Sequence, residues 1–163
     1  MKNNALWSAS ISGDLLSRIG PLNIAYGNRV FLYDTNGKQY FDAMSGAWVV
    51  NTGHGRKEIA DAMQEQAMRL GYILQEGYVN EPAQNLAEKI IQMLPGKITN
   101  CLFACGGSES IESAVKAVKQ FYFMEGNYKK NKILSRQHSY HGATFGAMTF
   151  TGITGWRYPF GKG

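Results

Sequence analysis

Three shortages set the first bounds on this sequence: cysteine, proline and, over its last third, acidic side chains. The two cysteines, Cys101 and Cys105, stand four apart in an apolar stretch. That spacing puts both on one face of a strand, too far apart along it for an easy disulfide, so two buried, reduced thiols are expected. A zinc site needs more ligands at the right spacing, and His54, His138 and His141 do not supply them. Four prolines against nineteen glycines point to tight turns and close backbone approaches, not to a flexible linker. No apolar run approaches the length of a membrane span. The opening residues, MKNNALWSASISGD, lack the apolar segment and small-residue cleavage site of a signal peptide. A cytoplasmic protein with no membrane partner is expected.

Acid is scarce where base is not. Residues 1–113 carry nine basic and eleven acidic side chains, whereas residues 114–163 carry eight basic ones and Glu125 as the sole acid. A basic segment of this kind meets nucleic acid, an anionic ligand, or acidic partners further along a longer chain. Without aromatic–basic interleaving or a recognisable nucleic-acid module, no nucleic-acid partner is expected.

What is present suits a soluble globular protein: 163 residues, 44% hydrophobic and 18% charged. Residues 30–42 (VFLYDTNGKQYFD) read as two strands joined through Asn36-Gly37, a strong hairpin signal. A glycine-rich stretch follows, with Gly46, Gly53 and Gly55 around Trp48, Val49 and Val50. Lys57 to Leu70 is predicted helical, since Ile59, Ala62, Met63, Ala67 and Leu70 recur on one face. Glu81 to Leu94 is the clearest helix, with an apolar stripe of Ala83, Leu86, Ala87, Ile90, Ile91 and Leu94, Pro82 in its first turn and Pro95-Gly96 ending it. A short apolar strand, Cys101 to Ala104, then leads into Gly106-Gly107-Ser108. A third amphipathic helix turns Ile111, Ala114, Val115, Val118 and Tyr122 inward. Lys132 to Arg136 is a second strand candidate. This order of elements implies an α/β protein with a parallel sheet.

The segment from Cys105 to Ser110 (CGGSES) lies between strand and helix, where a glycine loop aims backbone N–H groups at an anion and the helix dipole assists. Ser108 adds a hydroxyl donor or an N-cap; an N-capped turn without ligand is the simpler alternative. Three rival motifs fail. A P-loop needs lysine where Glu109 stands, a dinucleotide fingerprint needs three spaced glycines, and Ser110 occupies the final glycine of a nucleophile elbow. About thirty residues on comes Ser139-Tyr140-His141-Gly142, where Tyr140 is placed to stack on a flat heterocycle. Two loops at the carboxyl ends of strands converge on one ligand position in an open α/β sheet.

Taken together, YDTNGKQYFDAMSGAWVVNTGHGRKEIADA, LFACGGSESIESAVKAVK and KILSRQHSYHGATFGAMTFTG resemble the class III, or omega, aminotransferases of the fold type I pyridoxal-phosphate superfamily. The resemblance covers nearly the whole chain. It implies a fold in which residues 1–55 form the N-terminal hairpin segment and active-site glycine-rich stretch, part of the small domain. Residues 56–163 then begin the large parallel-sheet domain that binds pyridoxal 5'-phosphate. It assigns the cofactor phosphate to Gly107 and Ser108 and the ring to Tyr140, with His141 and Gly142 in the same loop. Trp48 lines the substrate pocket, to which Tyr72 and Tyr78 also lend apolar character. Gly106 departs from the serine many relatives carry, which leaves the backbone donor intact.

The implied reaction moves an amino group from a small-molecule amine or omega-amino acid to a keto acid such as pyruvate, in a homodimer. The family's Schiff-base lysine and the aspartate at the pyridinium nitrogen match nothing among these residues. None of the eleven lysines stands in the matching context. The chain is therefore expected to be an inactive portion of such an enzyme. The alternatives are an aminomutase or decarboxylase on the same scaffold, or a non-catalytic binding module.

Overall fold

The computed structural model describes residue 6, residues 11–74 and residues 76–160. The chain divides into two units, Met1–Tyr78 and Val79–Gly163. The first helix described in the first unit is α1 (Gly13–Ile19), which Ser12 caps by accepting the Leu15 N–H at 3.2 Å. A three-stranded antiparallel sheet follows in the order β1 (Ile24–Asn28), β2 (Phe31–Asp34), β3 (Gln39–Phe41).

The hairpin of β2 and β3 forms where the sequence predicts it. Phe31 pairs with Phe41 and Tyr33 with Gln39. Its turn is a three-residue loop, because the Gly37 N–H returns to the Asp34 carbonyl and the Asp34 N–H to that of Lys38, each at 3.0 Å. Gly37 takes the left-handed position at φ 80°. The Asp34 side chain fills the turn, accepting the N–H groups of Asn36 and Lys38 and the Tyr40 hydroxyl. Sequence reading misses β1, which pairs with β2 from Ile24 opposite Asp34 to Asn28 opposite Phe31. Tyr26 stacks on Tyr33 with ring centroids 4.6 Å apart.

The glycine-rich stretch becomes α2 (Ser45–Trp48), a single left-handed turn. Ser45, Gly46, Ala47 and Trp48 all have positive φ, from 48° to 67°. For L-residues this conformation costs about 1–2 kcal/mol each. Its ends are fixed by side chains and backbone. Asp42 accepts the Gly46 N–H at 3.0 Å and pairs with His54 Nε2 at 2.9 Å, while His54 and Arg29 exchange both backbone hydrogen bonds. The hydrogen bond from His54 and that from Gly46 hold the Asp42 carboxyl below its ordinary range, against the opposing effect of burial. After this turn α3 (Lys57–Arg69) runs within a residue of the predicted span. Its apolar face lies uncovered, with Met63 68% exposed.

In the second unit α4 (Glu81–Met93) starts at Asn80, whose side chain accepts the Ala83 N–H at 3.0 Å. Ala83, Ala87, Ile90 and Ile91 along its stripe are half-buried and Leu86 is exposed. α5 (Gly107–Met124) extends the predicted third helix at both ends. The remaining elements are α6 (Phe145–Phe150), α7 (Thr154–Arg157) and a 3-10 turn over Tyr158–Phe160. α6 packs on α5, and α7 on α6. The most deeply buried residues here, Ala147 and Thr151, lie at this junction.

Two expectations are corrected. Cys101–Ala104 and Lys132–Arg136 belong to no ladder among the described residues. An apolar run supplies the faces of a strand, but only a neighbouring strand supplies the hydrogen bonds that make it one. Cys101 and Cys105 are both free thiols as expected, yet Cys105 is exposed and Cys101 only half-buried, because the strand that was to bury them is not formed.

Candidate functional site

The start of α5 and the segment after Arg136 meet in the second unit. Gly106 precedes the helix in extended conformation, and Gly107, Ser108 and Glu109 form its first turn. Their N–H groups have no carbonyl four residues back to bind, so they face outward with the positive end of the helix dipole. A Cβ built on Gly106 or Gly107 would meet nothing within 4 Å, which leaves the space before the helix end open. The Glu109 carboxylate accepts the Cys105 N–H at 2.7 Å. Ser110 bonds the Gly106 carbonyl.

The Tyr140 loop lies against this end. The Ser108 Oγ accepts the Ala143 N–H at 3.0 Å, and among the described residues its own proton has no acceptor. Gly142 is buried and sits so close that a Cβ there would stand 2.6 Å from Ser108 Oγ and from Ala147 Cβ. Thr151, fully buried, ties the same loop from behind. Its hydroxyl donates to the Gly142 carbonyl and receives the His141 N–H, both at 3.1 Å. Tyr140 is half-exposed, and Trp156 meets its ring edge-to-face at 5.7 Å.

These contacts bring five of the residues singled out from the sequence to one place. Gly107, Ser108, Tyr140, His141 and Gly142 line an open recess of about 530 Å³, with Ser110 and Ile111. Trp48 belongs to the other unit, where the left-handed turn presents it 77% exposed. Sequence reading missed Glu112, Thr144, Thr151 and Trp156. None carries a motif, and each acts through a partner eight or more residues away. Among the described residues no cluster of three side chains is placed to hold a metal ion, and no helix is long and apolar enough to cross a membrane.

The recess joins hydrogen-bond donors to an aromatic ring. Its chemistry offers outward N–H groups and a free hydroxyl proton at one end and an accessible phenol ring at the other. No carboxylate lines it. A phosphate gains both the dipole and charge-assisted hydrogen bonds at such a helix end.

Comparison with known proteins places the chain. The family model for Aminotransferase class-III matches residues 17–162. A probable aminotransferase of Mycobacterium tuberculosis is 42% identical over 84% of this chain, a match spanning 29% of that protein. The omega-amino acid–pyruvate aminotransferase of Pseudomonas putida is 34% identical over 81% of the chain and 29% of its own length. Among solved structures, an (S)-enantioselective omega-transaminase from Thermomicrobium roseum superposes with a TM-score of 0.90 at 35% identity, covering 94% of this chain and 35% of that one. The omega transaminase of Pseudomonas jessenii in complex with PMP gives 0.89 at 31%, covering 93% and 34%. The chain thus spans about 30% of the length of the curated relatives it matches. With this match over nearly its whole length, the chain belongs to the class III aminotransferases, a family of α/β fold type I enzymes that depend on pyridoxal 5'-phosphate.

Proposed function

We propose that these residues supply the cofactor grip of a transaminase that moves an amino group from an amine or omega-amino acid to a keto acid such as pyruvate. One observation carries the reading. Ser108 at the α5 terminus and Tyr140 in the following loop line the same recess, tied together by the Ser108–Ala143 hydrogen bond. In it Gly107 and Ser108 bind the phosphate of pyridoxal 5'-phosphate, and Tyr140 orients the ring by stacking. His141 and Gly142 close the loop around it. When bound, the cofactor supplies the electron sink for the bonds to be broken. Trp48, held out by its left-handed turn, is read as a wall of the substrate pocket.

Residues 1–55 are assigned to the opening segment of such a subunit and residues 56–163 to the first part of its cofactor-binding domain. The lysine that carries the cofactor covalently is assigned to polypeptide outside these residues. The uncovered face of α3 and the exposed Leu86 of α4 support packing against more protein. The working form is read as a cytoplasmic homodimer. The test is a coupled assay of the full polypeptide with pyridoxal 5'-phosphate, an omega-amino acid and pyruvate. Alanine should form, and the 163-residue chain alone should form none. A full polypeptide that binds the cofactor but aminates no keto acid would overturn the reading.

A further inference from the structure

Glu112 lies one turn beyond Ser108 on α5, on the same face. Its Oε1 reaches the other loop twice, accepting the Thr144 hydroxyl and the Ala147 N–H, the latter at 3.1 Å. Thr144 is the N-cap of α6 and Ala147 its third residue. Thr144 makes no cap hydrogen bond to its own helix, so a carboxylate borrowed from α5 caps α6 in its place, where the dipole favours negative charge. Gly146 makes room for it: a Cβ there would stand 2.7 Å from the Glu112 Cδ. The Thr144 hydroxyl, then the Ala147 N–H, hold the Glu112 carboxyl below its ordinary range against burial, and Lys116 adds to this. Glu112 is therefore an anion at neutral pH.

The position of this clasp gives it a role. Glu112 does not line the recess. Yet Ser108 and Glu112, four residues apart, together fasten residues 143–147 to α5. That segment directly follows Tyr140, His141 and Gly142. Release of the clasp would leave Ser108 Oγ as the only α5 side chain holding the loop by a hydrogen bond among the described residues.

We propose that Glu112 is a positioning residue for the cofactor recess: by capping α6 from α5, its carboxylate sets the spacing between Ser108 and Tyr140 that one phosphorylated ring must bridge. This rests on the cofactor reading above. It needs no contact between Glu112 and the ligand.

The test uses the full polypeptide and its variants Glu112→Ala, Glu112→Gln, Gly146→Ala, the Glu112→Ala/Gly146→Ala pair, and Ser108→Ala as a control on the recess itself. Three quantities are measured: affinity for pyridoxal 5'-phosphate by absorbance, circular dichroism of the bound cofactor band, and hydrogen exchange at the Ala147 amide. Glu112→Ala should weaken binding about tenfold, the scale of one lost hydrogen bond to a charged group. It should also diminish the cofactor's circular dichroism at saturation and speed exchange at Ala147. Glu112→Gln, which keeps an acceptor oxygen, should recover most of the affinity. Gly146→Ala displaces the carboxylate and should mimic Glu112→Ala, and the pair should bind no worse than Glu112→Ala alone, because both remove one clasp. Should Glu112→Ala not fold, the Gln and Gly146→Ala variants still decide the matter. Wild-type affinity in Glu112→Ala and Gly146→Ala beside weakened binding in Ser108→Ala would overturn the clasp and leave the cofactor reading standing. Additive losses in the pair would overturn it too. Wild-type affinity in every variant, Ser108→Ala included, would instead refute the cofactor reading, and unchanged exchange at Ala147 would then refute the clasp as well.

Discussion

The hydroxyl of Ser108 accepts the backbone N–H of Ala143 at 3.0 Å, a bond that joins the first turn of a helix to a loop 35 residues later. It leaves the serine proton free for a ligand while the oxygen is engaged in holding the loop. One side chain thus does two things, and both are open to test.

Ser108→Ala in the full polypeptide removes the phosphate donor and the loop's anchor together. A hydrogen bond to a charged group is worth roughly 1.5–3 kcal/mol, so cofactor affinity should fall tens-fold in an absorbance titration. Tyr140→Ala removes a stacking face worth about 0.5–1.5 kcal/mol beyond its area and should cost less, several-fold. Unchanged affinity in both would remove these residues from the site.

Gly142→Ala places a methyl where Ser108 Oγ and Ala147 Cβ already stand 2.6 Å away, at a backbone φ of 136°. The overpacking and the backbone strain together should destabilise the protein by about 1–3 kcal/mol. The same push on Ser108 should weaken cofactor binding. A urea midpoint and a titration both like those of the unaltered protein would show that the loop yields more easily than its packing implies.

Acid should loosen the hairpin through Asp34. Burial alone would raise this carboxyl, but the Lys38 N–H, the Tyr40 hydroxyl and the Asn36 N–H together hold it below its ordinary value. A carboxyl lowered by folding stabilises the fold above its unfolded pKa, and that contribution fades as pH falls through the folded one. Exchange protection of the Asn36 and Lys38 amides should therefore begin to drop near pH ~4 and continue to fall below it. Asp34→Asn should abolish this acid dependence. Protection that is flat with pH in the unaltered protein would contradict the turn's reliance on an ionised Asp34.

Local rules carried the sequence reading where local contacts decide the structure. Asn36-Gly37 announced a turn, and Pro82 with the stripe Ala83, Ala87, Ile90 and Ile91 announced α4, because these signals act within a few residues. β1 was hidden because Gly27 and Asn28 look like breakers, and its strand exists through Tyr26 stacking on Tyr33 of its neighbour. The turn at Ser45–Trp48 was hidden more deeply, since three of its four residues adopt a conformation that L-side chains disfavour. It is the distant pairing of Asp42 with His54 that encloses it. The apolar runs at 101–104 and 132–136 erred in the other direction, because a hydrophobic pattern cannot supply a ladder partner. In the site, Ser108 and Tyr140 were legible as motif residues. Glu112 and Thr151 were not, since each bonds a segment 9 to 35 residues away without a signature of its own.

The most direct measurement is a crystal structure of the full polypeptide with pyridoxal 5'-phosphate. The account predicts a phosphate oxygen within hydrogen-bond distance of Ser108 Oγ and of the Gly107 or Ser108 N–H, roughly 2.7–3.2 Å, with the pyridine ring against the face of Tyr140. A cofactor bound elsewhere, with no phosphate at the start of α5, would contradict it.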